Sequence, residues 1–252
     1  MNAAEFDNIA ASEEGFWWFQ GMRRILFPLL DQALHKRPRG RALEAGCGVG
    51  FFAREFQKRY GWPVVPLDLS HQGLAYARAF GLERLVQGDV SRLPFPDASF
   101  DMVLSLDVIV HFPRGEEQVP MLEMARVLRP GGLLVIRVSA LEALRSRHSA
   151  FTFERQRFTK GRLIRVAGRS GIRALRATYA NSLLLPVALF KFRFWEPLFS
   201  RQAKSGTEPV APWLNSLLSI PLGLEAGLIR RGVNFPLGQS VVLIGERRTE
   251  RR

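Results

Sequence analysis

The sequence predicts an α/β fold, a mostly parallel sheet with helices on both faces. Short apolar runs alternate with amphipathic stretches at intervals of roughly 20–30 residues from Ala42 to Val138. One run, Leu133-Leu-Val-Ile-Arg-Val138, is almost continuously apolar, as a strand covered on both faces requires. The chain has 252 residues, 47% hydrophobic and 23% charged, enough for one large domain with an insertion or two small ones.

The elements follow in order. An aromatic-rich helical region runs from Phe16-Trp-Trp-Phe19 through Arg23-Arg24 to Leu30. After the loop Lys36-Arg-Pro-Arg-Gly40, the apolar pair Ala42-Leu43 starts the first strand, which ends in a glycine loop. Phe51–Tyr60 reads as a helix because Phe52, Phe56 and Tyr60 fall at i, i+4 and i+8. Val64–Asp68 is the second strand, and Ser70 is placed to cap a helix running to Phe80. Residues 84–87 and Phe100–Leu106 are the third and fourth strands. A helix over residues 120–128 stops at the breaker cluster Arg129-Pro-Gly-Gly132, before the fifth strand over 133–138. Residues 139–159 are polar and arginine-rich; a helix over 160–171 and a sixth strand, Ile172–Ala180, follow. Residues 181–236 are apolar, aromatic and proline-punctuated, and 240–244 form the last strand.

Charge divides the chain. Residues 1–130 carry 15 Lys and Arg against 16 Asp and Glu; residues 131–252 carry 21 against 7. A basic second half fits an anionic substrate group, a lipid surface or nucleic acid. Arginine outnumbers lysine 31 to 5, so genome composition is a competing explanation. The single cysteine, Cys47, excludes an internal disulfide, and no residue cluster has metal-ligand spacing. There is no signal-peptide pattern and no run of about 18 apolar residues. The expectation is a cytoplasmic protein, monomeric or homodimeric, with peripheral membrane contact open to its basic, apolar C-terminal half.

The glycine loop Glu44-Ala-Gly-Cys-Gly-Val-Gly50 lies where the first strand meets the first sheet-packing helix, and glycine there lets backbone approach a ligand closely. A nicotinamide fingerprint, G-x-G-x-x-G, would need a glycine at Phe51. Asp68 ends the second strand, where a carboxylate accepts from ribose hydroxyls. Asp89 follows the third, where a carboxylate accepts from an adenine amino group. A lone strand-end Asp is usually a turn or helix cap, but three ordered features at three consecutive strand ends point to one ligand.

These motifs, with Leu93-Pro-Phe-Pro-Asp-Ala-Ser-Phe-Asp101 and Val127-Leu-Arg-Pro-Gly-Gly132, resemble those of class I S-adenosylmethionine-dependent methyltransferases, closest to the quinone-biosynthesis and other small-molecule group. The resemblance covers about residues 40–138. The entry pattern Glu13-x-x-Phe-Trp-Trp-Phe-x-x-x-Arg23 is similar to one seen in some members. It implies a Rossmann-like class I methyltransferase sheet with an antiparallel last strand and a helical cap inserted before it. The implied organisation is an N-terminal helical lid segment (1–39), a core (40–180 and 237–247), the cap (181–236) and a tail (248–252). The implied cofactor is S-adenosylmethionine, without a metal. Gly46 and Gly48 would line its methionine part, Glu44 would hold the loop and the amino group, and Asp68 the ribose. Leu69 would lie against the adenine, Asp89 at its amino group and Val90 at its ring. Leu106 would offer backbone near the amino-acid end. Cys47 departs from the pattern, though any small residue serves there.

Methyl transfer from a sulfonium by in-line displacement needs alignment and water exclusion above all, and a general base only for a protic acceptor. His111 and Asp107, just after the fourth strand, are the candidate bases; helix capping or packing is the competing role for each. His148, Arg155 and Arg157 lie in the arginine-rich stretch that could bind an anionic group, against the competing reading of a solvated loop. Trp17 and Trp18 belong to an aromatic entry that either covers the acceptor or packs in the core. Phe190, Phe192, Phe194, Trp195 and Phe199 suggest an acceptor pocket, a dimer surface or a membrane-facing patch. The acceptor expected is small, aromatic, lipid-like or glycosylated, with acid groups permitted. A nucleic-acid methyltransferase is disfavoured: no Asn/Asp-Pro-Pro-aromatic motif stands at the fourth strand and no second cysteine is present. A non-catalytic binding protein of the same fold is opposed by the intact glycine and acidic positions.

Overall fold

The computed structural model describes residues 2–199, 205–207 and 210–249. All seven expected strands form one sheet: β1 (Ala42–Ala45), β2 (Val64–Asp68), β3 (Val86–Gln87), β4 (Phe100–Leu106), β5 (Leu128–Ser139), β6 (Ile172–Ala180) and β7 (Ser240–Arg247). Their order is β3-β2-β1-β4-β5-β7-β6. The first five are mutually parallel, and β7 lies antiparallel between β5 and β6. β5 starts earlier than its apolar run suggests. Leu128 pairs with Phe100, and the register then slips before Met102 meets Leu133, so the breaker residues form an irregular strand entry rather than a loop.

Helices cover both faces. On one face, α5 (Gln118–Val127) and α7 (Lys160–Arg169) bury Met121, Met124, Leu163 and Val166 against β4, β5 and β7. On the other lie α2 (Trp17–Leu34), α3 (Phe51–Tyr60), α4 (His71–Ala79) and α10 (Pro212–Arg230), with α1 (Ala3–Ser12) against α4. α2 buries Met22, Ile25, Leu26, Leu29 and Leu30, one stripe of a 3.6-residue period. α10 sets Leu222, Ala226 and Ile229 beside it, and a Cβ on Gly21 would fall 2.1 Å from Leu222 Cδ1, so the two helices cross in close contact. Segment 181–236 therefore does two things: α10 completes the core, while α8 (Leu185–Phe190), a π-helical turn over Lys191–Trp195 and α9 (Glu196–Phe199) stand over the sheet's edge. The Phe199 side chain and residues 250–252 of the expected tail lie outside the described residues.

The stretch 139–159 is not the solvated loop weighed above. It holds a short α6 (Arg147–Phe151) and buried Ser149, Thr152, Glu154 and Gln156.

Candidate active site

A cavity of about 1000 Å³ opens at the carboxyl ends of β1, β2 and β4, and the glycine loop forms its floor. Three backbone bonds hold the loop. Gly46 N and Cys47 N donate to Leu67 O at 2.8 and 2.9 Å, and Gly48 N donates to Asp68 Oδ2 at 2.8 Å. Gly46 and Gly48 have φ of +80° and +57°, values that L side chains adopt at a cost. A Cβ on Gly46 would strike Val108 Cγ2 at 2.3 Å, whereas one on Gly48 would meet nothing within 4 Å. Gly48 thus presents bare backbone to open cavity.

Asp68 also accepts from Ser70 N at 2.8 Å, and Ser70 caps α4 through Gly73 N, as expected. Burial raises the Asp68 carboxyl's pKa. Leu69 is 69% exposed at the cavity wall. Asp89, exposed, uses one oxygen on Ser91 N, and Val90 is buried beside it. Glu44 is buried with Oε2 unpartnered; burial, then the Glu13 carboxylate, holds its pKa well above the usual range. Glu13 Oε2 is likewise buried and unpartnered, and burial pushes Glu13 up to about 7. Burial raises the pKa of the Cys47 thiol, which disfavours the thiolate.

The opposite wall carries the expected acceptor-side residues. His111 Nδ1 lies 3.3 Å from Phe153 O. A carbonyl only accepts, so Nδ1 carries the proton and Nε2 keeps its lone pair. Burial lowers the His111 pKa and favours this neutral form. His148 has the complementary tautomer: its Nδ1 accepts from Gly206 N at 3.0 Å, which leaves the proton on Nε2. Asp107 sits at φ +57° and its Oδ2 accepts from Arg137 Nε at 2.9 Å and also from Nη2. Arg137 in turn stacks on Trp18, 4.8 Å from the ring centroid. Trp17 donates its backbone N–H to Asn215 Oδ1 at 2.8 Å, tying the aromatic entry to α10. Trp17, Trp18, Asp107, His111, Arg137 and His148 line the cavity, and so do Leu106 and Arg157.

Arg157 corrects one expectation. Its guanidinium is 3.1 Å from Glu154 and bonds Ala140 O and Ser149 Oγ, so its charge is already compensated and it braces the wall. Arg155 points elsewhere and does not line the cavity; the cations that do, beyond Arg137 and Arg157, are Arg23, Arg147 and Lys191. Asp107, clamped by Arg137, is a positioned anion with one oxygen engaged. Glu13, Arg23 and Arg137 were not singled out from sequence. A lone arginine inside the apolar run 133–138 was the available signal for Arg137, and the spaced Glu13 and Arg23 of the entry pattern for the other two. Among the described residues no cluster of three His, Cys, Asp or Glu could hold a metal ion.

Residues 43–136 match the family model described as a methyltransferase domain. Residues 43–136 therefore carry a methyltransferase domain of the class I S-adenosylmethionine-dependent type. Similar curated methyltransferases include a sterol 24-C-methyltransferase of Gibberella zeae, 39% identical over 38% of this chain and 27% of its own. A fatty-acid O-methyltransferase of Mycolicibacterium smegmatis is 43% identical over 36% and 34%. A 2-methyl-6-phytyl-1,4-hydroquinone methyltransferase of Synechocystis is 35% identical over 37% and 30%. The chain spans between 26% and 44% of the length of the curated relatives it matches. A chain from the complex of the Haloferax volcanii Trm112 methyltransferase activator with a methyltransferase shares the fold at a TM-score of 0.59, with 19% identity, over 97% of this chain and 98% of its own. An Archaeoglobus fulgidus S-adenosylmethionine-dependent methyltransferase shares it at 0.56, with 16% identity, over 88% and 94%.

The methyltransferase site fits the cofactor. Glu44 Oε2 and Glu13 Oε2 are buried acceptors without donors, which suits an ammonium group. Gly48 offers a backbone cradle that a Cβ would fill, and exposed Leu69 offers an apolar face to a planar base.

Proposed function

We propose that this chain transfers a methyl group from S-adenosylmethionine to a small acceptor with an apolar body and a protic oxygen. One observation carries the reading: every cofactor position, both tryptophans and both histidines line a single cavity. S-adenosylmethionine supplies an electrophilic methyl group on a positively charged sulfur. Glu44, Gly46, Cys47 and Gly48 would hold its methionine end with Glu13, Leu106 flanking it; Asp68 would hold the ribose, and Leu69, Asp89 and Val90 the base. His111 Nε2 takes the acceptor's proton as general base, and His148 Nε2–H donates a hydrogen bond that orients the acceptor oxygen. Arg137 holds Asp107 and Trp18 in place. Within segment 1–39 the entry residues Phe16–Phe19 serve as the lid, and within 181–236 the part before α10 serves as the cap, whose Phe192 and Trp195 line the acceptor's side. The relatives' sterol, fatty-acid and hydroquinone acceptors support an apolar class.

The test has two stages. Calorimetry with S-adenosylhomocysteine first separates an enzyme from a non-catalytic member of the fold; absence of binding removes the proposal. Methyl transfer is then measured against fatty acids, prenyl hydroquinones, sterols and RNA. An O-methylated lipid-like product supports the reading, and transfer to RNA alone overturns it.

A further inference from the structure

α10 is amphipathic, and its outer stripe is exposed among the described residues. Trp213, Leu217, Ile220, Leu224 and Leu228 recur at helical spacing and are 37–70% exposed. The overhanging segment adds Val187, Phe190, Phe194 and Leu198, between 57% and 75% exposed. Both elements reach the site: Leu218 of α10 and Val187, Lys191 and Trp195 of the overhang line the cavity. The exposed apolar surfaces therefore flank its mouth. A patch of this extent on a water-soluble face marks an interaction surface.

Charge names the partner. Lys191 and Arg193 are exposed on the overhang, and Arg230 and Arg231 at the end of α10. Arg24 is exposed on α2, with its guanidinium 3.8 Å from where a Cβ of Gly223 would stand. None of the five makes an ion pair among the described residues. The two acids on these elements are engaged inward: Glu225 is buried and accepts from Ser182 N and Leu183 N, and Glu196 accepts from Arg147 N. A second copy docked by two-fold symmetry would set a surface rich in cations against itself, and Asp31 of α2, the acid near Arg230, is already paired with Arg59. An anionic lipid surface supplies both complements, phosphate for the cations and acyl chains for the stripe. No helix among the described residues is long and apolar enough to cross a membrane, which fits lying on one.

We infer that the α10 stripe and the overhang dock the protein on an anionic phospholipid bilayer, with the cavity mouth facing the lipid. The inference deepens the proposed function by giving an apolar acceptor a route into the site, but the docking itself does not depend on catalysis.

Vesicle co-sedimentation of the full chain tests it. Vesicles of phosphatidylcholine with phosphatidylglycerol should bind the protein, phosphatidylcholine alone should bind it weakly, and added salt should release it. Leu217→Glu with Leu224→Glu should abolish binding. Arg230→Ala with Arg231→Ala should lower the partition constant by about thirtyfold, from two cations lost at an anionic surface. Both sites are exposed, and unchanged S-adenosylhomocysteine affinity shows that each variant is folded. Failure to bind anionic vesicles, or equal binding to neutral ones, overturns the inference. So does a dimer in light scattering that the Leu217→Glu, Leu224→Glu variant dissociates, because the stripe then meets a second copy. Cofactor affinity and transfer to a water-soluble acceptor report separately on the proposed chemistry.

Discussion

Gly46 and Gly48 stand two residues apart in one loop, and replacing each with alanine should produce different failures. Both have positive φ, so alanine costs about 1–2 kcal/mol in backbone strain at either position. At Gly46 the new methyl also meets Val108 Cγ2 at 2.3 Å, overpacking that adds about 1–3 kcal/mol. Gly46→Ala should lose about 3 kcal/mol and Gly48→Ala about 1 kcal/mol. In a chain of this size these correspond to melting-point drops of roughly 10 °C and roughly 3 °C. Ligand affinity should rank them the other way once stability is accounted for. The Gly48 methyl enters open cavity, where it should weaken S-adenosylhomocysteine by at least tenfold, about 1.4 kcal/mol. Val108→Ala combined with Gly46→Ala should recover roughly half of the melting-point loss, since it relieves the clash and leaves the strain. Calorimetric unfolding and titration measure both quantities. Equal melting-point losses, or a Gly48→Ala variant that binds as tightly as wild type, would refute the division between a glycine needed for packing and one needed for the ligand.

Other predictions follow from the buried charges. Glu13 binds its proton more tightly in the fold than in the unfolded chain, so the stability this adds is present at low pH and is lost as pH rises through about 7. Glu13→Gln should flatten that part of the melting-point profile, and a profile unchanged from wild type would show that Glu13 is not the group responsible. Burial lowers the His111 pKa, so the acid-side loss of kcat should set in at lower pH than for an ordinary imidazole. His111→Asn should lower kcat by about 10²-fold or more while S-adenosylhomocysteine affinity holds; a loss of only a fewfold would exclude it as the base. Asp68→Asn keeps one acceptor where two backbone N–H groups now point, and its amide would face a donor. It should weaken S-adenosylhomocysteine by about 10²-fold, and equal affinity would place the ribose elsewhere.

Much of this was readable because the periodic signals were strong. The fifth strand is a nearly continuous apolar run, and the glycine loop and strand-end acids carry an ordered spacing. What was not readable depended on long-range partners. Segment 181–236 looked like one insertion because its aromatics and prolines share a composition, yet Leu222, Ala226 and Ile229 are core, a distinction made by α2 about two hundred residues earlier. The histidine tautomers depend on Phe153 O and Gly206 N, which no local pattern around either histidine announces. Arg157 looked like an anion-binding side chain because only the fold brings Glu154, Ser149 and Ala140 O around it.

The position of β7 has a consequence for how the chain folds. β6 touches the sheet only through β7, and α2 finds its neighbour in α10, so both wait for residues 212–247, which are made after them. Until residues 212–247 are available, one sheet face near α2 and the outer edge of β5 have no native cover. Loop closure of this span is slow, and the half-assembled sheet offers an open edge for as long as it lasts. Synthesis on a ribosome would hold the chain in that state until residues 212–247 emerge, which makes that interval a period of exposure to aggregation.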